Sequence, residues 1–444
     1  MRLREFVIAV AIGMCAHADA AVAQPTPGQV ARKPNVVLIM MDDMGYGDLG
    51  SYGAPDVRTP NIDRLARQGV RLTEGYSNGH VCTPTRAALI SGRYPQRFGL
   101  ERALTVAPAD SAAGLPVTGT SLPALLKSNG YATGLVGKWH LGFKREFSPN
   151  AHGFDQFFGF LAGAHHYYQG PVFEDSTRIE LTRYLTDEIT DRALSFIGRH
   201  ADRPFFLEVA YNAVHWPFHT PDIKPAEVGR LGRGAQMPDD SVPATRADYV
   251  KMLERADQGA GKILAELERR GLTRNTLVIF TNDNGGEWLS RNAPFFHRKG
   301  TLWEGGIRVP MIFRWPARLP AGKTSRQVAL TMDITASILS ATGTKPPESY
   351  RPDGLDIIPA LRGDSPLSER QVFWRVNNPV RQQRAVRAGR WKLLFDGNAL
   401  LLFDLETDRG ERRDLASVHP DKVATLAKLH SAWEAAVSQN SRVP

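Results

Sequence analysis

VCTPTRAALISGR, residues 81–93, is the stretch around which the rest of this chain is arranged. Pro84 suits the first turn of a helix and Gly92 suits its end, so the pattern predicts a helix that begins at Cys82. Free N–H groups at a helix N-terminus favour negative charge, and Arg86, one turn further on, adds a cation. The stretch therefore predicts a cysteine in a site for an anion. The alternative is a structural buried cysteine before an ordinary surface helix.

The composition suits a globular protein. The chain has 444 residues, of which 42% are hydrophobic and 23% charged, enough for one large domain and a smaller one. The net charge of +9 favours anionic ligands in general. However, the arginines are scattered and no nucleic-acid motif or lysine-rich run is present, so we expect no nucleic-acid partner.

The N-terminus resembles an export signal. Arg2 and Arg4 precede an apolar run over residues 6–16, and Ala21-Val22-Ala23 then offers a cleavage site. The run is shorter than the ~20 residues that span a bilayer. We therefore expect a signal peptide over residues 1–23, a periplasmic or secreted protein, and no membrane anchor. Cys15 leaves with this peptide, so Cys82 has no disulfide partner in the mature chain.

Oxygen-bearing side chains follow two apolar runs, residues 35–41 and 275–281, that suit strands buried on both faces. Adjacent carboxylates at the mouth of a buried sheet repel each other unless a cation neutralises them. The sequence therefore predicts a divalent cation, with a pair of N-caps in a turn as the alternative. The candidate ligands are Asp42, Asp43, Asp283 and Asn284.

Basic side chains follow two more predicted strands. Lys138 and His140 come after residues 131–137, and their spacing in an extended chain would point both to one side. His215 lies just beyond the predicted strand 204–210. Without further context, the pair Lys138 and His140 would more often be a solvated strand end.

Residues 151–168 are aromatic and rich in glycine, without clear periodicity, and predict a long loop of the kind that often contacts substrates. Anchoring of the loop by its tyrosines is the alternative. The candidate substrate-binding residues, from this loop and two others, are His165, His166, Tyr167, Trp216 and His297.

Helices alternate with buried strands up to about residue 340, which predicts an α/β fold with a mostly parallel sheet flanked by helices on both faces. Ligands of such sheets bind beyond the carboxyl ends of the strands. After residue 346, short strands (371–376, 384–388, 391–395, 400–405) and a helix (419–438) predict an antiparallel sheet. We therefore expect a catalytic domain over residues 24–345 and a smaller α+β subdomain over residues 346–444.

The motif Cys82-Thr83-Pro84-Thr85-Arg86, running into Ser91-Gly92-Arg93, resembles the signature of the sulfatase family. Many members have serine where this chain has Thr85. The Lys-x-His at residues 138–140 and the lysine-bearing loop at residues 297–310 follow in the family's order. The resemblance covers about residues 34–444, and is strongest to arylsulfatases and N-acetylgalactosamine-6-sulfatases.

The resemblance implies an alkaline-phosphatase-like fold and hydrolysis of a sulfate ester, such as that of a sulfated small molecule or glycan. A maturation enzyme would oxidise Cys82 to formylglycine, whose hydrate attacks sulfur, releases the alcohol and then eliminates sulfate. One Ca²⁺ ion would bind Asp42, Asp43, Asp283, Asn284 and residue 82. Arg86, Lys138 and Lys299 would hold the sulfate, with His215 as the acid and His140 as the base.

Two other hypotheses stay open at this point. A phosphodiesterase or phosphonate monoester hydrolase would use the same scaffold, because tetrahedral phosphate and sulfate groups look alike to such a site. A non-catalytic protein that binds sulfated glycans would keep the fold without the chemistry.

Overall fold

The computed structural model describes residues 32–223, 244–377 and 381–439, and the predicted signal peptide lies outside these ranges. Its strands are β1 (Asn35–Met41), β2 (Val70–Leu72), β3 (Gly75–Tyr76), β4 (Ala132–Lys138), β5 (Gln156–Phe160), β6 (Pro171–Glu174), β7 (Thr177–Glu180), β8 (Phe205–Ala210), β9 (Thr276–Asn282), β10 (Met311–Arg314), β11 (Lys323–Ser325), β12 (Ala329–Leu330), β13 (Gln371–Asn377), β14 (Gln382–Ala388), β15 (Trp391–Asp396) and β16 (Ala399–Asp404).

The α-helices are α1 (Pro60–Arg67), α2 (Cys82–Ser91), α3 (Leu122–Ser128), α4 (Leu185–Arg199), α5 (Arg246–Arg269), α6 (Glu304–Ile307), α7 (Thr331–Ala341), α8 (Ile358–Arg362) and α9 (Pro420–Gln439). Across the described ranges, no helix combines the length and the apolar character that crossing a membrane requires.

A ten-stranded sheet forms the centre of the fold, in the order β11-β2-β10-β9-β1-β8-β4-β5-β6-β7. The neighbouring strands β9, β1, β8, β4 and β5 all run parallel. β10, β6 and β7 pair in antiparallel fashion at the two sides of this group. The predicted mostly parallel sheet is confirmed, and the carboxyl ends of β9, β1, β8 and β4 lie side by side at one edge.

β1 explains why its sequence is apolar without alternation. Val37 and Ile39 belong to one buried cluster, which contains Leu253 of α5, while Leu38 belongs to a second cluster with Leu89 of α2. Both faces of the strand are therefore covered by helices, as in parallel sheets generally.

The prediction of a loop over residues 151–168 is wrong in one part, because residues 156–160 form β5. This strand pairs in parallel with β4, and Gly159 lies opposite Gly137. A Cβ atom on Gly159, where φ is 152°, would come within 1.8 Å of the carbonyl oxygen of Gly137. Gly159, one of the glycines that suggested a loop, is needed for close approach of two buried strands.

The C-terminal part contains a four-stranded antiparallel sheet in the order β13-β14-β15-β16, as predicted. Trp374 and Leu393 of this sheet share a buried cluster with Tyr76, Leu302 and Ile307 of the preceding part of the chain. The sheet thus packs directly against the segment that follows Lys299. The boundary near residue 346 remains a prediction.

Candidate active site

The predicted catalytic and metal-binding residues come together beyond the carboxyl ends of neighbouring strands. Asp42 follows β1, Lys138 ends β4, and His215 lies five residues beyond β8. Asp283 and Asn284 follow β9. The side chains of all these residues are buried in the structure.

α2 begins at Cys82 and ends before Gly92, as predicted. Gly92 has φ of 65° and its N–H donates to the carbonyl of Ala88 at 2.8 Å, a conformation that glycine adopts without strain. The hydroxyl of Thr83 donates to the carbonyl of His140 at 3.0 Å and accepts from the N–H of Leu104 at 3.2 Å. The motif therefore also fastens the turn that carries His140.

The thiol of Cys82 lies among charged groups. Lys138 Nζ donates to Cys82 Sγ at 3.1 Å and to Asp42 Oδ2 at 2.5 Å, and Sγ is 3.6 Å from Asp42 Oδ1. Burial and the carboxylate of Asp283 raise the pKa of the Cys82 thiol, and Lys138 only partly opposes them. The unmodified cysteine is therefore a neutral thiol and a poor nucleophile.

Asp43 makes contacts with three residues in the loops that follow β8 and β9. Its Oδ2 accepts from Lys299 Nζ at 2.7 Å and lies 3.5 Å from His215 Nε2, while its Oδ1 accepts from Asn284 Nδ2 at 2.8 Å. Burial opposes ionisation, but Lys299 and His215 outweigh it and lower the pKa of Asp43. By contrast, burial and Asp283 raise the pKa of Asp42 to about 8 despite Lys138.

The guanidinium of Arg86 is occupied by protein groups. Nε and Nη2 donate to Asp283 Oδ2 at 3.0 and 2.9 Å, and Nη1 donates to the carbonyl of Lys138 at 3.1 Å. The side chain is 2% exposed. In this arrangement Arg86 orients and neutralises Asp283, rather than presenting free donors toward the cysteine.

The cluster has the features of a cation site. One ligand atom from each of Asp42, Asp43, Cys82 and His215 lies within 4.8 Å of the others. Asn284 Oδ1 is buried and accepts no hydrogen bond from any described residue, although buried amide oxygens are normally paired. An unpaired oxygen beside crowded carboxylates fits a hard divalent cation such as Ca²⁺. His215 also faces this site, although the sequence predicted it as a catalytic residue and not as a metal ligand.

The hydrogen bonds of the two histidines define which nitrogen carries the proton in the neutral ring. His140 Nε2 is 2.8 Å from the carbonyl of Leu104, so Nε2 is the donor and the buried Nδ1 keeps its lone pair. His215 Nδ1 is 2.6 Å from the carbonyl of Trp216, so its Nε2 faces Asp43 with a lone pair. Burial lowers the pKa of both, to about 3 for His215.

The position of His140 has a different cause from the one that the sequence suggested. β4 ends at Lys138, and His140 has φ of 61°, so alternation along a strand does not place its ring. Asp43 also has φ of 61°. Positive φ is tolerated best by Asn, Asp and His among residues with a side chain, and such backbone strain is common at functional sites.

The predicted substrate-binding residues differ in how open they are. His165 Nδ1 is 2.7 Å from the carbonyl of His166, and its Nε2 is 3.0 Å from that of Pro171. Tyr167 is fully buried. His166 and Trp216 are half-buried and His297 is exposed, so these three have surface that a ligand can reach.

Sequence reasoning missed Glu287, whose Oε2 lies 3.3 Å from Lys299 Nζ. The position directly after Asn284-Gly285-Gly286 was a signal that this carboxylate faces the same site. Thr83 was also missed as a contact of the His140 turn, although it belongs to the quoted motif.

Comparison with known proteins identifies related chains. Residues 34–344 match the family model described as Sulfatase, and residues 293–438 match one described as N-sulphoglucosamine sulphohydrolase, C-terminal. The chain is 37% identical to the N-acetylgalactosamine-6-sulfatase of Canis lupus familiaris, covering 82% of this chain and 72% of that protein. It is 32% identical to human arylsulfatase A, covering 90% and 87%.

Solved structures agree with these relationships. The structure of Ps i-CgsB superposes with a TM-score of 0.83 at 30% identity and covers 91% of this chain and 93% of that chain. The same protein in complex with k-i-k-neocarrahexaose gives a TM-score of 0.83 at 31% identity, with the same coverage.

Proposed function

This chain belongs to the sulfatase family and is a sulfuric ester hydrolase, and on that premise we propose that it removes sulfate from a sulfated sugar. The proposal includes one Ca²⁺ ion and a formylglycine made from Cys82 by a maturation enzyme. The observation that carries it is the contact of Cys82 Sγ with Lys138 Nζ, 3.1 Å, at the N-terminus of α2. A nucleophile for an anionic ester needs such a buried cation beside it.

Formylglycine, as its hydrate, supplies one hydroxyl whose oxygen attacks sulfur and a second hydroxyl that loses its proton, so that the aldehyde C=O re-forms and the bond from carbon to the sulfated oxygen breaks. The neutral thiol of Cys82 offers only one reactive atom, and its raised pKa weakens even that. Asp42, 3.6 Å from the sulfur, is the carboxylate within reach of a hydroxyl at this position.

Lys138 and Lys299 neutralise the sulfate oxygens in this proposal. Lys138 is buried and Lys299 is 11% exposed, and each ammonium contacts a carboxylate, Asp42 and Asp43 respectively, which holds it at the sheet edge. Fixed charges in a buried site act more strongly than they would in water. Arg86 contributes mainly by holding Asp283, because its donors point to that carboxylate and to the main chain.

Two histidines move protons in opposite directions. His215 protonates the leaving oxygen from Nε2, because Nδ1 is committed to the carbonyl of Trp216. The negative charge of a bound sulfate ester favours the imidazolium that this step needs. His140 has Nδ1 unpartnered among the described residues, so this nitrogen takes the proton when sulfate is eliminated.

Asp42, Asp43, Asp283 and Asn284 would hold Ca²⁺. The ion supplies positive charge that stabilises the sulfate group and the crowded carboxylates. The pKa of Asp42 is raised although Lys138 lies beside it, so the protein's own cations do not fully offset burial and the neighbouring carboxylates. A bound cation would supply the missing positive charge. Once residue 82 is an aldehyde hydrate, oxygen ligands predominate, which favours Ca²⁺ over zinc.

A sugar substrate is supported by the names of the relatives. One is an N-acetylgalactosamine-6-sulfatase, and another was solved with k-i-k-neocarrahexaose. In this chain, His166, Trp216 and His297 offer rings with accessible surface on loops that adjoin the site. Aromatic faces and ring nitrogens suit the apolar and hydroxyl-bearing faces of a sugar. Export of the mature chain to the periplasm or medium completes the proposal.

The decisive experiment measures sulfate release from a panel of sulfated mono- and disaccharides. The enzyme is produced with a formylglycine-generating enzyme, and matched 4-nitrophenyl esters (the sulfate, the phosphate diester and the phosphonate) are assayed alongside. We expect sulfate esters to be preferred and at least one sugar sulfate to be hydrolysed. A preference for the phosphate diester or phosphonate analogue would favour the phosphohydrolase hypothesis. Binding of the sugars without turnover by fully modified protein would favour a non-catalytic role.

A further inference from the structure

The side chain of Tyr167 lies under the segment that carries His215 rather than at an open surface. It is 0% exposed, and its hydroxyl lies 2.9 Å from the carbonyl oxygens of both Asn212 and His215. One phenolic hydrogen can be shared between these two acceptors. The hydroxyl therefore hydrogen-bonds to both ends of the turn from residue 212 to residue 215.

The opposite side of this turn is held by Asp42. The N–H of Asp42 donates to the carbonyl of Ala213 at 3.0 Å, and the N–H of Val214 donates to the carbonyl of Asp42 at 2.7 Å. In addition, Asn212 Nδ2 donates to the carbonyl of His165 at 3.0 Å. The backbone of His215 thus lies between the strand end that carries the metal ligands and the loop that carries Tyr167.

The tyrosine stays a hydrogen-bond donor across the working pH range. Burial, followed by the phenolic group of Tyr184 and the charge of Asp42, raises the pKa of Tyr167 well above its ordinary value. Its ring stacks on Tyr184 with centroids 5.5 Å apart. The donor is therefore fixed in both charge state and direction.

We propose that Tyr167 is a positioning residue for His215, which aims Nε2 at the oxygen of the leaving alcohol. The proposal rests on the acid role of His215 in the proposed function. This positioning role takes the place of the substrate-binding role predicted for Tyr167, because a fully buried ring cannot contact a substrate. Tyr167 acts through the main chain of His215, while the ring of His215 is oriented by its own bond to the carbonyl of Trp216.

The consequence of losing this hydroxyl depends on the leaving group. Displacement of a catalytic group by about 1 Å can reduce the rate by about 100-fold. Protonation matters most when the leaving alcohol is a poor one, because a nitrophenolate departs without help. A misplaced acid should therefore impair alkyl and sugar sulfates far more than 4-nitrophenyl sulfate. A general loss of stability would impair all esters equally.

Tyr184 provides a matched control. It is also buried, it stacks on Tyr167, and its hydroxyl donates to the carbonyl of His219 at 3.1 Å, four residues beyond His215. Tyr184→Phe therefore removes a comparable buried hydroxyl, one that donates to the segment after His215 but makes no hydrogen bond to the turn at residues 212–215.

The experiment compares kcat/KM for a series of sulfate esters of rising leaving-group pKa, in wild type, Tyr167→Phe and Tyr184→Phe. We expect Tyr167→Phe to lose about tenfold or more on the poorest leaving groups and about threefold or less on 4-nitrophenyl sulfate, as for partial loss of an acid worth 10²–10⁴. Tyr184→Phe should change kcat/KM by the same factor for every ester in the series. If Tyr167→Phe also lowered kcat/KM by the same factor for every ester, the proposal would be overturned.

A double-mutant cycle with His215→Ala gives a second, independent reading. If Tyr167 acts through His215, adding Tyr167→Phe to His215→Ala should leave kcat on the poor leaving groups unchanged. An additive loss would contradict the proposal. If wild type hydrolyses phosphonate esters and no sulfate ester, the proposed function fails, and the same series made with phosphonate esters decides the role of Tyr167 separately.

Discussion

Lys138 Nζ lies 3.1 Å from Cys82 Sγ, although 56 residues separate the two in the chain. The same ammonium contacts Asp42 at 2.5 Å, so one buried cation touches both the nucleophile position and a metal-ligand position. It is 0% exposed in its side chain. Attack by residue 82 and the charge of the metal site are thus coupled through one side chain.

Replacement of this cation should slow chemistry more than it weakens folding. Lys138→Met keeps the length of the side chain and removes the charge, and we expect kcat on a sulfate ester to fall by about 100-fold or more, as for loss of one preorganised donor. Lys127, a surface lysine that pairs with Asp155 at 2.7 Å, is the control. Lys127→Met should keep kcat. Equal activity of Lys138→Met and wild type would remove Lys138 from the mechanism.

Modification of Cys82 should track activity. Peptide mass spectrometry across residues 72–86 should detect the aldehyde in active enzyme, and the fraction converted should scale with specific activity. Cys82→Ala should be folded, by its melting temperature, and inactive. Cys82→Ser should react at most once, because serine lacks the second hydroxyl. Full turnover by protein whose Cys82 is wholly unmodified would refute the formylglycine mechanism.

Calcium should be required and should bind through Asn284. Chelation should abolish turnover, and Ca²⁺ should restore it better than Zn²⁺. Asn284→Ala should weaken Ca²⁺ binding by at least about tenfold, since it deletes a ligand whose oxygen is otherwise unpaired. Asn35→Ala, at the opposite end of β1, should leave the affinity unchanged. Calorimetric titration measures both variants, and full activity without metal would contradict the prediction.

The loop rings should affect sugar recognition more than chemistry. Alanine at His166, Trp216 or His297 should raise KM for the best sugar sulfate about fivefold or more, as for loss of one ring contact worth about 1 kcal/mol. The kinetic constants for 4-nitrophenyl sulfate should change little. His419→Ala, on the far C-terminal part, is the control. If none of the three variants changes KM for the sugar, the substrate lies elsewhere.

Glu208 of β8 should make stability depend on pH. Its Oε2 is buried without a partner among the described residues, and burial raises its pKa from 4.5 to about 7. Below pH 4.5 both folded and unfolded states are protonated, and as pH rises to about 7 only the unfolded chain ionises, so stability falls through that window. Glu208→Gln cannot titrate and should escape this loss.

The measurement is the difference in melting temperature between Glu208→Gln and wild type from pH 4 to pH 8. It should grow as pH rises and level off above about pH 7, with a stability difference on the order of 3 kcal/mol at most. All other titrating groups are common to the two proteins and cancel. A difference that does not vary with pH would show that Glu208 is ionised in the folded state.

The sequence by itself determined most of the local elements, though not β5, and the edge at which the site lies. Continuous apolar runs specify strands buried on both faces, and Pro84 and Gly92 define the ends of α2. Because the carboxyl ends of parallel strands share one edge, the order of motifs was enough to bring Asp42, Lys138 and Asp283 to one place. None of these predictions depends on which strands are neighbours in the sheet.

Only the tertiary structure decided which groups are partners. Arg86 contacts Asp283 across 197 residues, and Tyr167 reaches the turn at His215 from a loop 48 residues away. These contacts follow from the strand order β9-β1-β8-β4 and from the height of each loop above the sheet. Local sequence encodes neither the strand order nor the height of the loops, because both depend on how distant segments pack. Hydrogen bonds and ion pairs at about 3 Å depend on that packing.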